Sequence, residues 1–425
     1  MVATRLSGAL RGRLAEDFGG IMAEYRTVTT ATDRGAYVSR LVLDLPYDVA
    51  DAGDLADAFA VRADGEDVAV LRAWACDERG ARRPGGSHVA LELPEVRATQ
   101  RIGGGVMGSR ELMPVFHVAQ RRALAAKNPS AGALEGLVFD ESAGDTCPDL
   151  LGWDLTGEGD FDGYHMRLSL FAPECARGNR APRPRSVPLL LWLHGAGEPR
   201  VPFLTVMANR VTALGQPDIQ AKLGGAAYVL APSSPTYWMD SGSGRMEDDN
   251  QSRYVRALGD MVRRAVAALP AVDPSRVYVG GLSNGGFMTC RLLADYPDLF
   301  AAGIAVCPAW NDDLATEAEV AAIARTPLWL VQSADDDIVD PRRTSIPTYR
   351  HLRRLGADVH LTLFDHVDDL TGRYHDASGA PLRYRGHFCW VEVYHDFVDV
   401  DADGLPVTVG GRPVSLWEWV GLQRR

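Results

Sequence analysis

Ser283 stands in the run Gly281-Leu282-Ser283-Asn284-Gly285-Gly286, and a serine framed by glycines at this spacing can serve as a nucleophile. A hydroxyl is a weak nucleophile at neutral pH. It needs a base within hydrogen-bond reach and a group that orients the base. The apolar run Val277-Tyr278-Val279 before it reads as a buried strand, and Phe287 to Asp295 after it has helical character. A strand-to-helix turn exposes the serine hydroxyl above the sheet, and a Cβ at either flank would clash in so tight a bend. It also aims the first backbone N–H groups of the helix at a developing oxyanion, which makes Asn284 a candidate donor.

Where such a turn is catalytic, an acid and a histidine follow later in the chain, in that order. Ser333-Ala334-Asp335-Asp336-Asp337-Ile338-Val339-Asp340 offers three adjacent carboxylates after an apolar strand. Chemistry alone leaves the choice among them open. Asp336 is favoured, with Asp335 and Asp337 as solvated loop carboxylates or a cap for the next helix. For the base, His387 lies in Gly386-His387-Phe388-Cys389-Trp390, where the glycine permits a tight loop and Trp390 is placed to wall the pocket. His366, directly after a strand, and His395 compete with it, while His360 sits inside a strand and reads as a packed or surface residue. Leu193-His194-Gly195-Ala196-Gly197-Glu198 ends an earlier apolar strand. A backbone N–H of Gly195 or Ala196 would be the second oxyanion donor there, with His194 bonding loop backbone. The reaction implied is acyl transfer to water.

These residues need a scaffold, and the second part of the chain spells one. Leu189 to Leu193, Ala227 to Leu230, Val277 to Val279, Ile304 to Val306, Leu328 to Val331 and His360 to Phe364 are short apolar runs, as expected of strands buried on both faces. Between them, Gln251 to Leu269 repeats apolar residues at three- and four-residue steps and predicts an amphipathic helix; Leu416 to Leu422 predicts a closing one. Repeated βα units build a mostly parallel sheet covered by helices, an α/β fold. Earlier in the chain the period is two: Tyr37 to Asp44, Phe59 to Arg62, Val68 to Leu71 and His88 to Leu93 alternate between turn residues, which predicts a small antiparallel β-sandwich. The expected division is residues 1–24 as a leader, 25–135 as the sandwich, 136–161 as a Gly- and Asp-rich linker, and 162–425 as the catalytic domain.

A length of 425 residues suits two domains, and a net charge of −12 argues against a nucleic-acid partner. No run approaches the about 18 apolar residues of a membrane span, and the start lacks an apolar signal core, so a cytoplasmic location is expected. The six cysteines are scattered without ligand spacing. Neither a metal nor a structural disulfide is expected, and Cys290 and Cys307 read as small core residues. No cofactor is called for. Gly103 to Gly108 spells GxGxxG without a preceding strand, and Asp399 to Gly404 begins like a calcium loop but has Gly410 where a glutamate is needed. Neither predicts a site.

The succession of His194-Gly195-Ala196-Gly197-Glu198, the Ser283 run, Tyr296-Pro297-Asp298-Leu299-Phe300, Ser333 to Val339 and Gly386-His387 with Trp390 resembles the esterase and depolymerase branch of the α/β hydrolases. That branch holds carboxylesterases, feruloyl esterases, polyhydroxybutyrate depolymerases and prolyl-oligopeptidase-type peptidases. The resemblance runs from about Asp162 to the end. It implies the α/β-hydrolase fold, with Asp336 as acid and His387 as base. The first domain resembles the immunoglobulin-like domain that precedes the catalytic domain in some bacterial esterases. Two departures, Pro199-Arg200 and Pro232-Ser233, fall where the family's residues face the site, so substrate preference is not carried over.

The first expectation is therefore a serine esterase acting on a small or medium ester. A prolyl-oligopeptidase-type peptidase and a polyester or feruloyl ester depolymerase share the acyl-enzyme chemistry and stand as alternatives. A binding protein working through the sandwich would be favoured by loss of a triad member, and none is lost. The sandwich is also the expected surface for any homo-oligomer. Trp238, Trp390 and the 367–385 stretch are expected around the pocket.

Overall fold

Alternating and continuous apolar runs bury their side chains in different ways, and the two kinds of sequence fold into two separate units. The computed structural model describes residues 22–50, 53–102, 108–177 and 187–425. One unit takes the described residues up to Gln100 together with Glu111–Asp149, and the other takes Arg101–Arg110 with Leu150–Arg425.

The first unit contains β1 (Met22–Thr32), β2 (Gly35–Val49), β3 (Phe59–Ala63), β4 (Glu66–Val68), β5 (Arg72–Cys76) and β6 (Gly86–Arg97). Thr99–Ile102 (β7) and Gly108–Glu111 (β8) pair as a ribbon. They are followed by β9 (Phe116–Gln120), the short pair β10 (Leu124–Ala125) and β11 (Ala133–Leu134), and β12 (Val138–Thr146). Hydrogen bonding follows the order β4-β3-β9-β12-β1-β2-β6-β5, antiparallel except between β1 and β12. Leu41 and Leu43, Val89 and Leu91, and Phe116 and Val118 alternate into the core, as a period of two requires. β1 and β9 are not neighbours in that order. Yet the Tyr25 ring meets Phe116 edge-on at 5.9 Å, and the Tyr25 hydroxyl accepts the Phe116 N–H at 3.1 Å, so the layers face each other as a sandwich.

The expected 136–161 linker is corrected. β12 pairs with both β1 and β9, and Trp153–Phe161 (β13) pairs with Tyr164–Phe171 (β14) in the second unit. β12 keeps most of its side chains exposed, whereas β13 alternates exposed with half-buried residues and ends on the buried Phe161. Glycines and acidic residues fill many positions of both strands, so their composition reads as loop although both are paired through the backbone. The leader up to residue 21 and residues 103–107 of the glycine run lie outside the described residues.

The second unit adds β15 (Val187–Leu193), β16 (Tyr228–Ser233), β17 (Val272–Leu282), β18 (Ala302–Val306), β19 (Leu328–Ser333) and β20 (Val359–Phe364). The order is β13-β14-β16-β15-β17-β18-β19-β20, parallel from β16 to β20. Its helices include α1 (Pro202–Met207), α2 (Pro217–Lys222), α3 (Val255–Ala268), α4 (Asn284–Asp295), α5 (Glu317–Ile323), α6 (Ser345–Arg354), α7 (Trp390–Tyr394) and α8 (Leu416–Leu422). α3 begins four residues later than its apolar period suggested. Every residue of β15, β16, β18 and β19 is buried, in keeping with a sheet covered on both faces. Among the described residues no helix is long and apolar enough to cross a membrane. The carboxyl ends of β15, β17 and β19 open onto one edge, where α/β sheets place their sites.

Candidate active site

Ser283 follows β17 directly and caps α4 with φ 56° and ψ −113°, a conformation that costs a non-glycine residue about 1–3 kcal/mol. Its N–H donates to the Val306 carbonyl at 2.8 Å, and its carbonyl accepts the Phe287 N–H at 2.9 Å. The flanking glycines are required by close approach: a Cβ on Gly281 would lie 2.6 Å from the Leu193 carbonyl oxygen, and one on Gly285 only 2.0 Å from it. The turn is thus pressed against the end of β15.

His387 and Asp336 reach the same serine. His387 Nε2 lies 3.0 Å from Ser283 Oγ, and Nδ1 lies 2.8 Å from Asp336 Oδ2. The carboxylate partner places the ring proton on Nδ1 and leaves Nε2 to accept. The Asp336 side chain is fully buried. Oδ1 accepts the N–H groups of Ile338 and Val339, each at 2.9 Å, and Oδ2 also accepts from Gln332 Nε2 at 2.8 Å.

The neighbouring carboxylates are held differently. Asp335 accepts from Ser333 Oγ at 2.5 Å and from the His366 ring at 3.0 Å. Burial pushes its carboxyl up, but those hydrogen bonds outweigh burial and hold it below its usual range. The Arg385 guanidinium forks onto Asp337 at 2.6 and 2.8 Å and lowers that carboxyl. His366 is therefore engaged with Asp335. His395 stacks on Phe397 at 5.5 Å, and His360 packs between Trp329 and Trp419 while bonding Asp401 at 2.7 Å. None of the three is within hydrogen-bond distance of Ser283.

The His194–Glu198 turn lies beside the serine. His194 Nδ1 donates to the Gly195 carbonyl at 2.6 Å, and Nε2 accepts the Ser234 N–H at 3.1 Å. Burial depresses the imidazole to about 4, so it is neutral at pH 7. It bonds loop backbone, as expected. Trp238, expected at the pocket, is instead fully buried. Its ring packs on His194 at 5.0 Å and its backbone N–H donates to Asn284 Oδ1 at 2.6 Å, so it supports the site from behind. An aromatic residue beside a loop can serve either way, and only tertiary packing decides.

A cavity of about 430 Å³ opens over Ser283 and His387. Leu282, Ile338, Phe388 and Trp390 supply apolar walls; Gly195, Ala196 and Glu198 lie on one side, and Arg101 and Arg385 also line it. Trp390 stands edge-on to His387 at 5.6 Å, in the wall expected of it. Of the 367–385 stretch, Arg385 is the described residue in the lining. Arg200 and Ser233, at the two departures, bond Pro235 and Thr205 and do not line it. Sequence reading missed Gln332 and Glu198. A polar residue ending the apolar run of β19 is a signal for the first; a carboxylate closing a His-Gly turn is one for the second.

Cys307, Asp336 and His387 have ligand-type atoms within 4.8 Å of one another, the metal-like group among the described residues. The His387–Asp336 hydrogen bond already occupies their facing lone pair and proton. All six cysteines are free thiols, with Cys290 and Cys307 buried.

Residues 237–317 match the prolyl oligopeptidase family, and residues 24–107 match the esterase Ig-like N-terminal domain. A probable chloroplastic glutamyl endopeptidase of Arabidopsis thaliana is 42% identical over 79 residues, 17% of this chain and 8% of that protein. Poly(3-hydroxyalkanoate) depolymerase C of Paucimonas lemoignei is 29% identical over 126 residues, 28% of this chain and 27% of that protein. The chain thus spans well under a third of the length of these relatives. A thermostable esterase of known structure superposes with a TM-score of 0.75 at 21% identity, covering 95% of this chain and 100% of the other, a likeness of fold. The chain has the α/β-hydrolase fold behind an N-terminal immunoglobulin-like domain, and its resemblance is to the esterase branch of that fold.

Proposed function

We propose that the protein is a serine hydrolase that cleaves carboxylic esters through an acyl-enzyme on Ser283. The continuous relay from Ser283 Oγ through His387 to Asp336, at 3.0 and 2.8 Å, carries this reading. As Oγ bonds to the ester carbonyl carbon, His387 Nε2 takes its proton, and Asp336 stabilises the imidazolium that results. The carbonyl oxygen becomes an oxyanion beside the N–H of Asn284, which the first turn of α4 leaves without an intrahelical partner. His387 then returns the proton to the departing alkoxide, the C–O bond breaks, and water repeats the sequence on the acyl-enzyme.

Esters are favoured over peptides by the full-length likeness to an esterase fold. The prolyl oligopeptidase match is confined to 81 residues around the nucleophile, where the two chemistries coincide. The depolymerase relative keeps polyesters within the class of candidate substrates. A fluorophosphonate should label the wild type at Ser283, and turnover of p-nitrophenyl butyrate should exceed that of aminoacyl p-nitroanilides. Ser283→Ala should lose both labelling and turnover while remaining folded by circular dichroism. Full turnover by that variant sinks the assignment, and preference for the anilides replaces ester with peptide.

A further inference from the structure

We infer that Glu198 is a positioning residue: it keeps the N–H of Gly195 turned from the reacting carbonyl and leaves Ala196 as the second oxyanion donor. The inference rests on the ester-hydrolase reading above. Two candidate donors share one turn, and each peptide unit in it is planar and trans, so fixing one end of a unit fixes the other. His194 Nδ1 grips the Gly195 carbonyl at 2.6 Å, which points the Ala196 N–H of the same unit the opposite way. Ala196 lines the cavity, and among the described residues no acceptor bonds its N–H.

The preceding peptide unit is held from the other side. The Gly195 N–H is among the groups that favour the charged form of the Glu198 carboxylate. Glu198 Oε2 lies 3.2 Å from where a Cβ on Gly195 would stand, and it has no partner at full hydrogen-bond geometry. The contact is therefore a longer electrostatic attraction to the carboxyl oxygen, strengthened by a dry setting, since Glu198 is only 4% exposed. Its other oxygen accepts from Ser109 Oγ at 3.4 Å, while the Ser109 N–H donates to the Gly197 carbonyl at 2.6 Å. Burial holds the Glu198 carboxyl above its ordinary range, and the charge of Arg101 and the Asn209 and Ser109 side chains offset it only in part. Oε2 has almost no accessible surface, so a substrate does not reach it unless the turn moves. That separates a positioning role from a substrate contact.

The test compares Glu198→Ala, the near-isosteric Glu198→Met and the acceptor-retaining Glu198→Gln on p-nitrophenyl butyrate. A misplaced oxyanion donor costs up to about 10²-fold. Glu198→Ala and Glu198→Met should therefore lose about 10–100-fold in kcat with KM within about threefold, because the donor acts on the transition state. Glu198→Gln should keep kcat within about threefold, its amide oxygen facing Gly195 in place of the carboxylate. If Glu198→Ala does not fold, Glu198→Met carries the comparison at nearly unchanged volume. Wild-type kcat in Glu198→Met, equal losses in Glu198→Met and Glu198→Gln, or a loss confined to KM would each overturn the inference. Ser283→Ala measured alongside keeps the two failures apart: an inactive Ser283→Ala with a fully active Glu198→Met removes the positioning role alone. An active Ser283→Ala removes the hydrolase reading itself.

Discussion

The loop after β19 and the turn after β15 face the same serine but are held by opposite means. In the β19 loop, three consecutive carboxylates each tie to a different partner: Asp335 to His366, Asp336 to His387 and Asp337 to Arg385. Their burial falls from the fully buried Asp336 to Asp337, whose side chain is 59% exposed. In the β15 turn the ionisable groups are both buried: His194 bonds the Gly195 carbonyl and Glu198 accepts from Ser109 Oγ. The same kind of charge therefore has very different worth along one loop. In water an ion pair is screened and contributes little, whereas a buried group is costly to leave without its partner. Burial, not the count of charges, should rank the effects of substitution.

Asp336→Asn should have the largest effect of the substitutions in these two segments. An asparagine can still accept the Ile338 and Val339 N–H groups, but its amide then opposes both Gln332 Nε2 and the His387 Nδ1 proton. The imidazole is driven to the wrong tautomer, and Nε2 no longer accepts from Ser283. A loss of about 10⁴-fold in kcat is expected, with KM little changed. Steady-state kinetics on p-nitrophenyl butyrate check it. If Asp335→Asn or Asp337→Asn were the inactive variant instead, the ordering by burial would be broken.

His194 tests the turn through pH. Its folded pKa of about 4 lies below the ordinary 6.5, so between these values the unfolded chain binds the proton more readily. The contribution of the neutral ring is complete above about pH 6.5 and is lost as pH falls toward 4, amounting to about 3 kcal/mol. Urea unfolding at about pH 7 and about pH 4 should show the wild type losing about that much more stability than His194→Asn, which has no titrating ring. Parallel losses in the two proteins would mean that the imidazole is not kept neutral by burial.

The legibility of this site in the sequence follows the same divide. Ser283, His387 and the His194 turn could be read because backbone geometry dictates their neighbours: Gly281 and Gly285 abut the Leu193 carbonyl, and no other residue fits there. The choice among the three aspartates could not be made from chemistry, since Gln332 and the Val339 N–H converge on Asp336 only after folding. Trp238 and Trp390 look alike in sequence, yet one props Asn284 and the other walls the cavity. The buried strands of the second unit were legible from apolar runs. β12 was not, because a strand with exposed side chains leaves only backbone pairing as a signal; β13 was not, because Gly157 and Gly159 stand at half-buried positions and blank its apolar alternation.

Asp337→Asn should produce the smallest change and so sharpens the contrast most. Its pair with Arg385 has good forked geometry, but both side chains are at least half exposed, which limits the contribution to about 0.2–1 kcal/mol. Arg385 precedes Gly386 and His387, so losing the pair loosens the base loop at its entry without touching the relay. A kcat within about threefold of wild type is expected. The stability difference between the two proteins should shrink further as salt is raised to about 1 M, where exposed charges are screened over about 3 Å. A loss approaching that of Asp336→Asn would mean that the exposed pair, rather than the buried one, fixes the position of His387, and the ranking by burial would fail at its weakest link.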